Sequence, residues 1–328
     1  YSPTALIAAT IFITAVCWLT NTVFAKIYKV QTNIESVYIT ALILALIISP
    51  PKAGNYLASL AILIWAPVLA IASKYILVIK KKHIFNPAAL SVALTGLVIG
   101  SSASWWIGTI SMLPFIAIGG FLIVRKILRF ELVVGFLAAS AITILGASII
   151  NGGNVITTTG KFLFDTPVIF FAAIMLTEPL TTPPTKYLRI LYGGLVGILF
   201  APWIHLGTIY STPELALLAG NIFSYIISPK HRLVLRLKES VQITPDTADF
   251  VFTSDQKFKF KPGQYLEWTL GHSKTDSRGN RRYFTIASSP TENEIRIGVK
   301  FNPDSSTFKK SLADLKPDDT IIDSQLSG

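Results

Sequence analysis

The pattern of apolar and polar positions divides the chain into two parts. Over the first two thirds, long apolar windows alternate with short polar turns, and windows of roughly 15–22 apolar residues are typical of membrane-spanning helices. Nine such windows lie at about 5–26, 36–50, 55–73, 86–100, 105–124, 131–150, 164–177, 187–206 and 212–228. Windows 36–50 and 86–100 are shorter than the ~20 residues that cross a bilayer and carry prolines at one end, so we predict broken or re-entrant helices there.

The last third of the chain has a different pattern. From Val234 onward, short runs such as LVLRLKES, DFVFTS and EIRIGVKF alternate apolar with polar residues and are bounded by Pro, Gly, Asn and Asp. This period of two is typical of antiparallel strands, and we predict a small β-barrel. The stretch SSTFKKSLADL predicts one helix, with Ser305, Ser306 or Thr307 as its N-cap.

These patterns predict a polytopic α-helical membrane domain over residues 1–228, with about nine to ten helices, followed by an antiparallel β-barrel over residues 229–328. The distribution of charge agrees with this division. Charged residues make up 14% of the chain, against roughly 25% in soluble proteins. Residues 1–228 hold 13 Lys/Arg and 5 Asp/Glu, whereas residues 229–328 hold 16 and 13.

The positions of the basic residues predict an orientation. If the carboxyl-terminal domain is cytoplasmic, counting back through nine spans places eleven of the 13 basic residues of the membrane part on the inner side. We therefore predict a multi-pass protein of a bacterial-type inner membrane, whose first segment is a spanning helix rather than a signal peptide. The net charge of +11 is mostly loop charge, so no nucleic acid partner is predicted.

Cysteine and histidine usage limits the kinds of redox centre. Cys17 is the one cysteine, which excludes a disulfide framework and a cysteine-ligated zinc or iron–sulfur site within this chain, and no metal site is predicted. A haem-containing flavocytochrome of the ferric-reductase type would need paired histidines on helices. The four histidines form no such pair within a window; they are His83, His205, His231 and His272.

Three polar stretches interrupt the apolar windows: FNPAAL at 85–90, GSSASWWIGT at 100–109 and LTEPLTTPPTKYLRILYGG at 176–194. Glu178 lies at the edge of the hydrocarbon, where an acidic side chain is costly and usually functional. Together these stretches resemble the membrane subunit shared by the Rnf and Nqr electron-transport complexes, over residues 36–206. FNPAAL is similar to that family's FNPA loop, and LTEPLTTPPT to its TDPVTSPxT stretch, with Glu178 in place of the aspartate.

The resemblance implies flavin in the membrane domain. In that family a threonine in an outer SGAT sequence carries covalent FMN, and a second flavin is bound without a covalent link. The nearest counterpart here is SSAS at 101–104, which makes Ser104 the candidate attachment residue for FMN. No residues are assigned to the second flavin. Alternatively, these serines form a turn, and Trp105 and Trp106 belong to an interfacial aromatic belt.

The stretch RRYFTIASSP at 281–290 carries groups suited to FAD. A flavin dinucleotide needs an aromatic face for its ring, hydrogen-bond donors for the ring edge, and a cation and backbone amides for its phosphates. On a strand, Arg282 and Phe284 point to the same side, and Thr285 adds a hydroxyl. The helix that begins near Ser306 supplies N–H groups for a phosphate.

This stretch also resembles the FAD-binding domain of the ferredoxin–NADP reductase family, whose signature is Arg-x-Tyr/Phe-Ser/Thr. FKPGQYLEW and DDTIIDSQLSG are similar to two further strands of that domain, so the resemblance covers about residues 232–328. It implies FAD contacts from Arg282, Tyr283, Phe284, Thr285, Ser288, Ser306 and Thr307. In that family a nicotinamide-dinucleotide domain follows, so we expect the NAD(P)H site to lie outside this sequence.

The resemblances together imply a membrane flavoprotein that passes electrons from NAD(P)H through cytoplasmic FAD to flavins in the membrane domain. They also imply partner subunits with iron–sulfur centres and coupled movement of sodium ions or protons. Two alternatives remain open from the sequence. One is a transporter-like membrane protein whose tail is a regulatory flavin sensor, since broken helices and proline-rich loops occur in transporters. The other is the flavocytochrome, against which the unpaired histidines argue.

Overall fold

A computed structural model of the chain describes residues 1–30, 34–51, 56–79, 82–227, 233–254, 259–272, 276 and 281–327. The chain forms two compact units. The first unit comprises Tyr1–Ile79 and His83–Ser228, and the second comprises Lys80–Lys82 and Pro229–Gly328.

The first unit is predominantly helical. Its helices α1–α10 span Pro3–Tyr28, Ile34–Ile47, Tyr56–Ile76, Pro87–Ile99, Leu113–Ile127, Phe130–Ile150, Val155–Phe164, Val168–Phe170, Lys186–Leu199 and Pro213–Ile227. A π-helical turn over Phe171–Met175 continues α8, and a 3-10 turn over Trp106–Gly108 precedes α5. Four two-residue strands, β1–β4, lie at Val78–Ile79, Lys82–His83, His205–Leu206 and Ile209–Tyr210.

Helix lengths correct the predicted number of spans. Within the described residues, three helices are long and apolar enough to cross a membrane, namely Pro3–Tyr28, Ser59–Ile76 and Phe130–Ile150. Val155–Phe164 and Val168–Met175 make a fourth if this pair, bent by 57°, is one span. Each of the nine predicted windows thus contains a helix, but in the described residues only these three, or four with the bent pair, are long enough to be candidate spans. Apolar residues continue through turns that end helices, so α2 and α4 contain only 14 and 13 residues, and these are the two windows predicted to be broken.

Two glycines allow α9 to pack closely against α6. A Cβ added at Gly193 would lie 2.5 Å from the carbonyl oxygen of Leu132, and one added at Gly197 would lie 2.5 Å from that of Phe136. Because glycine has no side chain, the two backbones approach closely, as in other helix pairs with small residues four positions apart. Arg189 of α9 also donates a hydrogen bond to the carboxylate of Glu131 on α6.

The second unit contains a six-stranded sheet and one helix in its described residues. Strands β5–β10 span Leu233–Thr244, Thr247–Ser254, Tyr265–Thr269, Arg281–Thr285, Glu294–Lys300 and Thr320–Ser327, and α11 spans Thr307–Ala313. The strands pair antiparallel in the order β8-β7-β10-β5-β6-β9.

The predicted closure into a β-barrel is wrong, because the sheet has two edges, β8 and β9. The edges approach each other beyond the end of β8, where Ala287 N–H donates to the Arg296 carbonyl at 2.8 Å, but no ladder joins them in the described part of the unit. Alternation with a period of two predicts strands. Closure also requires a consistent tilt and register around the ring, which alternation does not specify.

Helix α11 packs on an apolar core formed by the sheet. Phe308 and Leu312, one helical turn apart, are fully buried with Trp268 of β7 and Phe252 of β6. The rings of Phe252 and Trp268 are 5.0 Å apart, centroid to centroid. The predicted helix and its N-cap are confirmed, since the Ser306 hydroxyl accepts a hydrogen bond from Lys309 N–H at 3.4 Å.

Candidate functional site

Edge strand β8 carries the residues predicted to bind FAD. It pairs with β7 so that Arg282 lies opposite Trp268 and Phe284 lies opposite Leu266. Successive side chains of a strand point to opposite faces, so Arg282 and Phe284 share one face of the sheet. Their face is the one covered by α11, because both side chains contact Phe308.

The Phe308 ring contacts both the Arg282 guanidinium and the Phe284 ring. The guanidinium carbon of Arg282 lies 5.4 Å from the centroid of the Phe308 ring, which is within cation–π distance. The Phe284 ring lies 6.0 Å from Phe308 and 6.5 Å from Trp268, centroid to centroid. Arg282 and Phe284 are both half-buried, so each has a packed side and an accessible side.

A carboxylate occupies the position between Arg282 and the start of α11. One oxygen of Asp276 lies 3.8 Å from a guanidinium nitrogen of Arg282. The other oxygen accepts a hydrogen bond from the Thr307 backbone N–H at 3.0 Å. A guanidinium and a backbone amide therefore flank a single anionic group, which is the combination that binds phosphate oxygens elsewhere.

The hydroxyl of Thr307 connects Asp276 to His272. It accepts a hydrogen bond from the Asp276 backbone N–H at 3.1 Å and lies 3.0 Å from His272 Nε2. The other ring nitrogen of His272 lies 2.9 Å from the Leu270 carbonyl, which can only accept, so Nδ1 carries a proton and donates there. The amide and hydroxyl of Thr307, a residue predicted to contact FAD, are thus held by neighbouring residues of the chain.

The opposite face of β8 is open to solvent. Tyr283 is 58% exposed and Tyr265 is 36% exposed, with their rings 5.7 Å apart in an edge-to-face arrangement. The Tyr283 hydroxyl donates to the Glu267 carboxylate at 3.1 Å. Thr285, the last residue of β8, is exposed on the same face. Strand geometry thus separates Tyr283 and Thr285 from the face of Arg282 and Phe284.

Ser288 and Ser306 have structural partners. Ser288 is buried, and its hydroxyl accepts a hydrogen bond from Arg296 N–H at 3.3 Å, which attaches the segment after β8 to β9. Ser306 is also buried and caps α11. These hydrogen bonds within the chain account for the burial of both hydroxyls.

Sequence reasoning missed two residues of this site. Phe308 was readable as a core residue from its spacing of four to Leu312, but its shared contact with Arg282 and Phe284 depends on where α11 packs. Asp276 lies in the polar stretch GHSKTDSRGN, which contains no regular pattern. No local signal indicates that its carboxylate reaches Arg282 and Thr307.

In the first unit, the segment that contains Ser104 closes the end of α2. The backbone N–H groups of Ser104 and Trp105 both donate to the Ile47 carbonyl, at 3.0 and 2.9 Å, and the Ser104 hydroxyl donates there at 3.2 Å. Trp105 has a left-handed backbone, with φ at 48°, and its indole N–H donates to the buried Glu214 at 3.2 Å. Ser104 itself is exposed.

The described histidines do not form a haem site. His83 lies in β2, His205 in β3 and His272 after β7, so none of the three is on a helix; His231 lies outside the described residues. Among the described residues, no group of three or more His, Cys, Asp or Glu side chains is placed to hold a metal ion.

No protein-family model and no curated protein matches the chain. Among solved structures, a ferredoxin NADP+ reductase from Neisseria gonorrhoeae with bound FAD and NADP is 18% identical, with a TM-score of 0.26, over 29% of this chain and 37% of that one. The cytochrome b5 reductase domain of Ulva prolifera nitrate reductase is 20% identical, with a TM-score of 0.25, over 31% and 42%. A flavohemoglobin from Malassezia yamatoensis with bound FAD and heme is 18% identical, with a TM-score of 0.28, over 66% and 63%. The chain thus spans less than half of each of these two reductases.

Proposed function

We propose that the second unit binds FAD and that the protein is a membrane flavoprotein that passes electrons from NAD(P)H to flavins in the membrane domain. The observation that carries this proposal is the anion position between Arg282 and the Thr307 amide, next to the half-buried ring of Phe284. The carboxylate of Asp276 stands in that position for a phosphate group. A cation, an amide donor and an aromatic ring within one small face are the groups that a flavin dinucleotide requires.

Each residue has a defined part in this proposal. Arg282 and the Thr307 amide hold the pyrophosphate, and Phe284 supplies an apolar surface for the ring system. Thr285 and Tyr283 are exposed on the opposite face of the strand, where the Tyr283 hydroxyl donates to Glu267. Bound FAD supplies the chemistry, because a flavin accepts a hydride and releases electrons one at a time. Ser288 and Ser306 act indirectly, by holding the segments on either side.

The packing around Arg282 prepares it for this part. Stacking on Phe308 limits the rotamers of its long side chain, so less conformational entropy is lost when a ligand binds. The fork of the guanidinium also matches phosphate oxygens better than a lysine ammonium would. The chain therefore supplies a pre-oriented positive charge for the phosphates of FAD. This role of Arg282 can be tested by FAD binding alone, without NAD(P)H as electron donor.

We expect the variant Asp276→Asn to bind FAD more tightly than the unmodified protein. The carboxylate competes with phosphate for Arg282 and for the Thr307 amide, and its charge repels phosphate. Removing that charge should lower the Kd for FAD roughly tenfold, the equivalent of about 1.4 kcal/mol. The measurement is a titration of the purified full chain with FAD, followed by flavin fluorescence.

The matched control is Asp318→Asn, since Asp318 is an exposed acid of the same unit, 3.5 Å from Arg236. Its Kd for FAD should equal that of the unmodified protein. Unchanged or weaker FAD binding by Asp276→Asn would refute the competition between its carboxylate and phosphate. Absence of FAD binding in every version would refute the proposed function itself.

We further propose Ser104 as the attachment residue for covalent FMN. Its hydroxyl is exposed, and the Ile47 carbonyl holds it in a defined place. Protein expressed together with a flavin transferase should give a fluorescent band on a denaturing gel, with FMN mass on the peptide that contains residue 104. Ser104→Ala should lose the band, while Ser102→Ala, a second exposed serine of the same segment, should keep it. A band that survives in Ser104→Ala would exclude this residue.

The remaining parts of the proposed function concern partners. NAD(P)H is the proposed donor, subunits with iron–sulfur centres are the proposed partners, and sodium ions or protons are the proposed coupled ions. The candidate spans of the first unit support membrane association, and a bacterial-type inner membrane is the proposed location. We propose that the second unit is cytoplasmic, as the distribution of basic residues between the nine predicted windows suggests.

A further inference from the structure

The hydroxyl of Thr307 has two hydrogen-bond partners in the second unit. It accepts a hydrogen bond from the Asp276 backbone N–H at 3.1 Å, and it lies 3.0 Å from Nε2 of His272. Because Nδ1 of His272 donates to the Leu270 carbonyl at 2.9 Å, Nε2 carries no proton when the imidazole is neutral. In that state the Thr307 hydroxyl donates its hydrogen to Nε2 and presents only lone pairs to any further group.

One proton on His272 reverses the direction of this hydrogen bond. In an imidazolium both ring nitrogens are donors, so Nε2–H donates to the Thr307 hydroxyl oxygen. That oxygen has two lone pairs and therefore accepts from His272 and from Asp276 at the same time. The hydroxyl hydrogen is then available to another acceptor. The charge of His272 thus decides whether Thr307 offers a hydrogen or only lone pairs.

This hydroxyl lies beside the anion position of the unit. The carboxylate of Asp276 accepts from the Thr307 N–H at 3.0 Å and lies 3.8 Å from Arg282. The side chains of Arg282 and Asp276 are 20% and 21% exposed, so water screens their charges only in part. The His272 ring lies edge-on to Phe308 at 6.4 Å, centroid to centroid, and the same Phe308 ring contacts the Arg282 guanidinium.

We infer that His272 is a positioning residue for the pyrophosphate of FAD, that it acts through the Thr307 hydroxyl, and that it takes up a proton when FAD binds. The inference rests on the proposed function of this unit. A proton from water binds to Nε2, Nε2–H donates to Thr307, and the Thr307 hydroxyl turns its hydrogen to a phosphate oxygen. The pyrophosphate displaces the Asp276 carboxylate and carries more negative charge than it, so charged His272 favours FAD over Asp276.

The charged groups around His272 fit this role. Asp276 is joined to it through Thr307, and Arg282 is joined to it through Phe308. Asp276 and Arg282 pair with each other, so their charges offset each other at His272 until FAD displaces the carboxylate. Helix α11 also carries two lysines: Lys309 donates to a carbonyl of β9 at 2.6 Å, and Lys310 is exposed to solvent.

The pH dependence of FAD binding to the purified full chain tests the inference. The Kd for FAD should fall about tenfold between about pH 8 and about pH 5.5, where histidine changes charge, because the bound state holds the additional proton. Calorimetric titrations in buffers of different ionisation enthalpy should show proton uptake on binding. His272→Gln keeps a hydrogen-bonding group beside Thr307 but takes no proton, so its Kd should not depend on pH and the uptake should be lost.

Two further variants identify the group that takes up the proton. Asp276→Asn should keep the pH dependence. Its loss in this variant would assign the proton to the carboxylate and would overturn the role of His272. His205→Gln removes an exposed histidine of the first unit and should also keep the pH dependence, as the matched control.

The outcomes separate this inference from the proposed function. A Kd for FAD that is the same at every pH in the unmodified protein, or an equal pH dependence in a folded His272→Gln protein, would overturn the inference and leave FAD binding standing. Absence of FAD binding at every pH would refute the proposed function and the inference with it. If His272→Gln does not fold, Thr307→Val decides, because it removes the hydroxyl and keeps the backbone. Proton uptake should be lost in that variant, and uptake that persists there would overturn the inference.

Discussion

Arg282→Ala is expected to weaken FAD binding by about 10- to 100-fold, the equivalent of about 1.5–3 kcal/mol for hydrogen bonds to a charged group. The guanidinium is the proposed cation for the pyrophosphate, and alanine offers neither charge nor donors. Arg282→Lys should give an intermediate Kd, because lysine keeps the charge but loses the planar fork. The measurement is an FAD titration of purified full chain, together with the flavin content of the protein as isolated.

Arg236→Ala is the matched control for this prediction. Arg236 is an exposed arginine of the same sheet, 3.5 Å from Asp318, so its loss removes equal charge far from β8. It should leave the Kd for FAD unchanged. Because Arg282 also packs on Phe308, the thermal midpoints of both variants should be measured beside the Kd. Full FAD occupancy in a folded Arg282→Ala protein would contradict the proposed phosphate role.

Gly193→Ala and Gly197→Ala are expected to destabilise the first unit by about 1–3 kcal/mol each, as overpacking does in other proteins. Each new methyl group would lie 2.5 Å from a backbone carbonyl oxygen of α6, a distance that only separation of the helices can relieve. Gly197→Leu should have a larger effect, since more atoms must be accommodated. Thermal unfolding followed by tryptophan fluorescence in detergent measures the change.

Gly194→Ala provides the control within the same helix turn. No described atom lies within 4 Å of a Cβ added there, so alanine meets open space. Alanine favours helix over glycine by about 1 kcal/mol, so this variant should unfold at the same or a higher temperature. Equal midpoints for Gly193→Ala and Gly194→Ala would contradict the close contact between α6 and α9.

The candidate FAD site illustrates how far local pattern reaches. A period of two predicts that Arg282 and Phe284 share a face, and the structure agrees because a strand has no other way to place them. The same period separates Tyr283 and Thr285 from that face. The pattern does not reveal Asp276, whose carboxylate reaches Arg282 from a stretch without periodicity.

In the membrane domain, too, local pattern predicts some features and leaves others open. Apolar windows predict helices, and each window contains one, because burying apolar side chains and satisfying the backbone within lipid favour helix everywhere. Window length overestimates the number of spans. The residues at which a helix begins and ends depend on capping groups and not on hydropathy. Asn86, for example, caps the N-terminus of α4, which begins at Pro87.

The sequence by itself determined the two-part character of this protein, the strands and helix of the second unit, and the fact that Arg282 and Phe284 share one face of β8. These features depend on neighbours within a few positions, and local steric and hydrophobic preferences decide them. Only the tertiary structure decided that the sheet stays open, that Asp276 occupies the anion position, and that Gly193 and Gly197 of α9 lie against the backbone of α6. Those features join residues tens of positions apart, such as Leu132 and Gly193, and their geometry depends on how whole helices and strands pack.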